Sequence, residues 1–162
     1  MDRIALRMFP MSFTELTASE PVLADLLNLS TLSLATMGLD GQPHSAPVYF
    51  VAGRDLCLYF FSDLQSQHSQ DIQCNPRAAL SIYPECWGWE EIRGVQMRGE
   101  VYRLERGEEW DRAWDGYQAK FPFIAGLEEI VAQNSFYKFV PVWVRLVDNR
   151  KSFGYKQEWK AE

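Results

Sequence analysis

From Ser30 to Met37 the chain alternates small polar and apolar residues (STLSLATM), the period of a strand with one face in a core. Gly38 to Gln42 (GLDGQ) carries Asp40-Gly41, a hairpin signal. His44 to Ala52 (HSAPVYFVA) returns as a second strand, and Pro47 places it at a sheet edge or beside a bulge. Gly53, Arg54 and Asp55 make another tight turn. Leu56 to Phe61 (LCLYFF) is a third strand, apolar on both faces and therefore covered on both. Ser62 to Gln73 (SDLQSQHSQDIQ) reads as a loop entering a helix. Ser62 or Asp63 caps it, Leu64, His68 and Ile72 share one face, and Asn75-Pro76 stops it. Arg77 to Tyr83 and Glu91 to Leu104 are the fourth and fifth strands. Gly94 and Gly99 mark bulges or close backbone approach in the fifth. Phe136 to Val147 is the sixth strand, followed by a polar tail.

Helical spacing appears at two further places. Residues 14–28 read as one helix, with Ser19 as cap, Pro21 in the first turn and Val22, Leu23, Leu26 and Leu27 as its apolar stripe. Trp110, Trp114, Tyr117 and Phe121 recur at helical spacing, followed by Ile124, Leu127, Ile130 and Val131, which gives a helical insert at about residues 107–132. The pattern predicts one domain over residues 1–162, mainly β with helices (α+β). Its six antiparallel strands with short connections form a curled sheet or barrel rather than a doubly wound fold.

Composition narrows the chemistry. The net charge is −6, and no Lys/Arg-rich run occurs, which opposes binding to a nucleic-acid backbone. The opening MDRIALRMFP lacks the apolar core of a signal peptide, and no apolar run is long enough to cross a bilayer. A cytoplasmic protein is expected. Cys57, Cys74 and Cys86 form neither a disulfide framework nor a zinc motif, and Cys57 reads as a buried small hydrophobe. His44 and His68 are the only histidines, and no metal-ligand spacing includes them, so no metal site is expected. Aromatic residues are 14% of the chain, enough to thicken a core and also to line an interface or a flat-ligand pocket.

Four segments carry a resemblance: LATMGLDGQPHSAPVYF, LYFFSDLQSQHSQDIQCNPRAAL, IRGVQMRGEVYRL and VPVWVRLVDN, which together span Leu34 to Asn149. In order and spacing they resemble the pyridoxamine 5'-phosphate oxidase-like family of FMN-binding split β-barrels. They stand nearest a poorly characterised subgroup of general stress-type or unknown-function members. The resemblance implies a six-stranded antiparallel split barrel that forms a homodimer, with FMN at the interface. It implies that the flavin ring lies along the first two strands. The backbone of Pro47, Val48 and Tyr49 and the amide of Gln96 would then serve the ring. The phosphate would sit where the third strand leads into its helix, among Ser62, Ser66, Gln67, His68 and Ser69, at a helix N-terminus that suits an anion.

Family members commonly carry Arg or Lys where this chain has Gln67 and His68. Arg54, Arg150, Lys151 and Lys156 are candidate replacements. Trp87, Trp89 and Trp143 are candidates to stack on a ring, and His44 and Tyr49 to touch a substrate. No catalytic residue is assigned, because hydride transfer is the flavin's own chemistry. WVRLVDNRKSFGYK lacks the arginine-rich C-terminal motif that pyridoxamine phosphate oxidation requires. The expectation is an FMN-dependent oxidoreductase-like protein with a small-molecule substrate or electron donor. The alternatives are non-enzymatic binding of flavin, haem or deazaflavin (F420), or a flavin-free structural dimer.

Overall fold

Alternation in β1 (Thr31–Met37) sets the two faces of the sheet: Leu32, Leu34 and Thr36 are buried, while Ser33 and Ala35 face outward. A computed structural model describes residues 13–161; the reading of residues 1–10 as lacking a leader lies outside them. Gly41, at φ +76°, makes the turn into β2 (Pro43–Tyr49), which pairs with β1 from Met37↔Pro43 to Thr31↔Tyr49. The second strand then breaks at Phe50, fully buried, whose N–H bonds the Ser30 carbonyl at 3.2 Å. Its continuation, β3 (Val51–Ala52), pairs instead with β4 (Leu58–Ser62).

That break closes the sheet. Strand order is β2-β1-β5-β6-β7-β4-β3, where β5 is Arg77–Ile82, β6 Arg93–Arg103 and β7 Ser135–Asp148. Because β2 and β3 are one run of chain, its two halves stand at the two ends of that order. The sheet therefore curls back on itself, all antiparallel. A last strand, β8 (Lys156–Lys160), pairs with the C-terminal half of β7.

The structure corrects the expected six strands to eight. Phe50 divides one expected strand, and the tail read as polar contains β8, which buries Gln157 and Trp159 at alternate positions. The third strand begins two residues late. Leu56 takes φ +57° and the Gly53 N–H bonds the Cys57 carbonyl at 2.7 Å, so both belong to the turn. In β6 the register shifts between Arg98 and Gly99, where a Cβ would overlap the Val140 carbonyl. Gly94 keeps register and is a close approach to the Ile82 carbonyl, 3.0 Å from an added Cβ.

The expected single helix at residues 14–28 is two, α1 (Phe13–Ser19) and α2 (Pro21–Leu27). Pro21 drives Glu20 out of helical geometry, to φ −122° and ψ 86°. Ser19 caps nothing; its hydroxyl donates to the Leu16 carbonyl. Leu23, Leu26 and Leu27 of α2 join the barrel core with Leu34, Leu58, Phe60 and Val95. The insert supplies α4 (Glu108–Lys120), a 3-10 turn (Pro122–Gly126) and α5 (Glu128–Gln133). It builds a second core in which Trp110 and Tyr117 pack on Phe136, itself stacked on Phe61 at 4.2 Å, and Phe121 packs on Tyr117. The third strand is thus covered on both faces, as its sequence requires. Among the described residues no helix is long and apolar enough to cross a membrane.

Candidate ligand site

The helix after β4, α3 (Gln67–Cys74), begins where Ser66 turns extended backbone into helix. Its side chain accepts the Ser69 N–H at 3.4 Å. The side chains gathered here bond to one another. Ser62 Oγ hydrogen-bonds Ser66 Oγ at 3.1 Å and also meets His68 Nε2. The Ser66 hydroxyl lies 2.8 Å from the Asp63 carbonyl, 2.9 Å from Ser69 Oγ and 3.2 Å from His68 Nε2. Gln65 N–H bonds Asp63 Oδ1 at 2.8 Å, and Ser66 N–H the Asp63 carbonyl at 3.1 Å. Among the described residues, the N–H groups of Gln67 and His68 are the donors of the first turn left without a partner. Burial pushes the His68 imidazolium below the ordinary histidine range, against the pull of the Asp71 charge, so the ring is neutral at pH 7.

Asp71, one turn further on, organises this corner. It is 3% exposed and accepts from Thr36 Oγ1 at 2.7 Å, Gln67 Nε2 at 2.8 Å and His44 Nδ1 at 2.9 Å. Burial alone would raise its carboxyl; the bonds from Thr36, Gln67 and His44 outweigh that and hold it below the usual carboxylate value. A buried negative charge therefore ties α3 to β1 and β2. Gln67, expected to face a phosphate, is turned onto this carboxylate.

The outward face of the sheet offers different chemistry. A shallow cavity of about 300 Å³ is lined by Ser33 and Ala35 of β1, Ser45 of β2, Ala79 and Ser81 of β5, Gln96 and Arg98 of β6 and Trp143 of β7, with Leu80 and Met97 between them. Alternation puts these small residues outward and their neighbours in the core, so the floor is flat and bordered by hydroxyls. At one end the Arg98 guanidinium lies 4.2 Å from the Trp143 ring centroid, with that of Arg145 4.7 Å from the same centroid. Arg145 is paired with Glu158 at 2.6 Å and reaches Gln96 Oε1 at 3.4 Å. Among the described residues Arg98 has no carboxylate partner.

The expected site residues thus fall into separate groups. Ser62, Ser66, His68 and Ser69 meet at the start of α3. Gln96 and Trp143 meet in the cavity, whose lining includes none of those four. Pro47 is exposed on β2, the Val48 side chain is buried in the core, and Tyr49 packs on Phe121 and Phe123. His44 is held by Asp71. Trp87 and Trp89 stand in solvent, 92% and 56% exposed. Arg150 is bound to Asp148 at 2.8 Å and Lys151 reaches Glu20 at 3.7 Å, while Arg54 and Lys156 are exposed on a turn and on β8. Sequence reasoning missed Asp71, one polar residue among many in SQHSQDIQ, and Thr36, a polar residue at an inward position of β1. It also missed Ser33, Ala35, Ser45, Ala79 and Ser81, whose signal was available in the small residue at every second position.

Residues 19–148 match the family model described as Pyridoxamine 5'-phosphate oxidase. The chain belongs to that family. YhbP, a UPF0306 protein of Salmonella paratyphi A, is 30% identical over 117 residues, covering 68% of this chain and 71% of its own. The pyridoxine/pyridoxamine 5'-phosphate oxidase of Chromobacterium violaceum is 27% identical over 122 residues, 75% of this chain and 53% of that protein. Among solved structures HutZ, the heme storage protein from Vibrio cholerae, shares the fold with TM-score 0.66 at 18% identity, over 75% of this chain and 89% of its own.

The pyridoxamine 5'-phosphate oxidase-like resemblance brings FMN with it, and the residues present meet its two halves differently. The flat floor, Gln96 and the hydroxyls of Ser33, Ser45 and Ser81 fit a planar ring with a hydrogen-bonding edge. The start of α3 does not fit a phosphate dianion: its hydroxyls bond one another, its imidazole is neutral, and the charge behind it is negative.

Proposed function

We propose that this protein binds a planar ring of the flavin class on the outward face of its sheet, as a homodimer whose second protomer covers the ring. The cavity on β1, β2, β5, β6 and β7 carries the reading. It combines an unobstructed floor at Ala35 and Ala79, an amide at Gln96 that both donates and accepts, and an indole at Trp143. It is open on one side in a single protomer, so a second copy completes the enclosure that a tight ligand needs. FMN-dependent oxidoreduction with a small reduced donor is the finer form of this proposal, the redox chemistry being the ring's own. That form requires the phosphate to be held elsewhere than at α3. Free Cys57, Cys74 and Cys86 suit a reducing cytoplasm. The partners proposed are a second copy and a small molecule, not nucleic acid.

Haem, for whose storage HutZ is named, is held by an axial His, Cys, Met or Tyr. Of the lining residues only Met97 is of that kind, and its side chain is 1% exposed within the barrel core. The lining therefore supports a flavin-type ring over haem.

The test is titration of the purified protein with flavin, read by quenching of flavin fluorescence, alongside sedimentation. Dimers that bind with a dissociation constant of about 10 µM or tighter support the proposal. Ala79→Arg, which fills the floor from an outward position, should weaken binding at least about tenfold without lowering the melting temperature. Flavin that stays unquenched at about 1 mM protein would sink the proposal.

A further inference from the structure

We infer that Asp71 makes this protein select against the phosphate, so that it takes an uncharged flavin, riboflavin or the bare ring system, at least as tightly as FMN. The inference rests on the ring site just proposed and names the ligand class for it. Phosphate recognition at a helix start needs free donors and a nearby positive charge. Here the hydroxyls of Ser62, Ser66 and Ser69 are bonded among themselves. The Gln67 amide, at the position where the family resemblance implies a cation, is held on Asp71 at 2.8 Å. The two N–H groups left over, of Gln67 and His68, stand one turn from a carboxylate that is 3% exposed and held by three donors. A charge buried this way is poorly screened, and its field opposes a dianion.

The positive charge in the cavity lies elsewhere. Arg98 sits on β6, propped against Trp143, with no carboxylate partner among the described residues. A guanidinium there serves a polar ring edge, since carbonyl oxygens accept from its N–H fork. The ring is therefore recognised by β1, β5, β6 and β7, and a side-chain phosphate adds no affinity.

Parallel titrations with riboflavin and FMN test this, read by flavin fluorescence on the wild-type dimer and on Asp71→Asn. Equal affinities, or tighter riboflavin, support the inference. So does an FMN-to-riboflavin preference that rises about tenfold in Asp71→Asn, as one charge repulsion is removed. FMN bound tenfold or more tightly than riboflavin by the wild type overturns the inference and leaves the ring site standing. An unchanged preference in a folded Asp71→Asn protein removes Asp71 from the role. Failure of both flavins to bind overturns the ring site and the inference together. Should Asp71→Asn not fold, the wild-type comparison alone decides.

Discussion

His68 titrates in the direction opposite to that of a phosphate ligand. Its pKa is depressed in the folded state, so its contribution to stability is complete above the unfolded value of about 6.5 and is lost as pH falls through the folded one. Asp71 is also depressed, and its contribution is lost at lower pH, beginning near the unfolded carboxylate value of about 3.9. Urea midpoints should therefore fall in two stages on acidification. His68→Gln should remove the stage that starts near pH 6.5 and leave the one below about pH 4. A wild-type midpoint equal at pH 7.5 and 5.5 would contradict the first assignment. At this scale the sequence was half legible. The serines and His68 could be seen to gather at one helix start, because they lie within eight positions of each other. That Gln67 would turn away from them was not, because the carboxylate it meets, Asp71, is held in place by Thr36 and His44 from strands far away in the chain.

Among the elements, β6 and β7 form the longest pairing, and Gly99 is its weak point. Gly99→Ala must push back the Val140 carbonyl, and a cost of about 2–4 kcal/mol is expected in urea unfolding. A loss below about 0.5 kcal/mol would mean the bulge relaxes freely. The two glycines of β6 were both visible as breaks in a strand pattern, yet only the neighbouring strand shows which one faces the bulge, where Val142 of β7 is the extra residue. The helical insert was legible from its aromatic spacing, and its cover over Phe61 followed from a strand apolar on both faces. β8 was not legible. Five residues, KQEWK, with inward positions at Gln157 and Trp159, give too short and too polar an alternation to stand out from a tail.

At the level of the whole molecule, the break at Phe50 makes the seam of the barrel only two residue pairs wide, Val51↔Tyr59 and Ala52↔Leu58. On its other side β4 depends on β7, where Leu58 meets Phe139 across half the length of the chain. β6, by contrast, is paired along both flanks. Loop closure over so long a stretch carries a high entropic cost, so β4 should be the last strand to dock during folding and the first to leave. Amide hydrogen exchange should show this as faster deuterium uptake in Leu58–Ser62 than in Val95–Met97, despite the equally deep burial of Phe60 and Val95. A barrel that opens along this line exposes the inner leucines before the outward face is disturbed. A ligand resting on that face would then steady β1, β5 and β6 and leave the exchange of β4 unchanged.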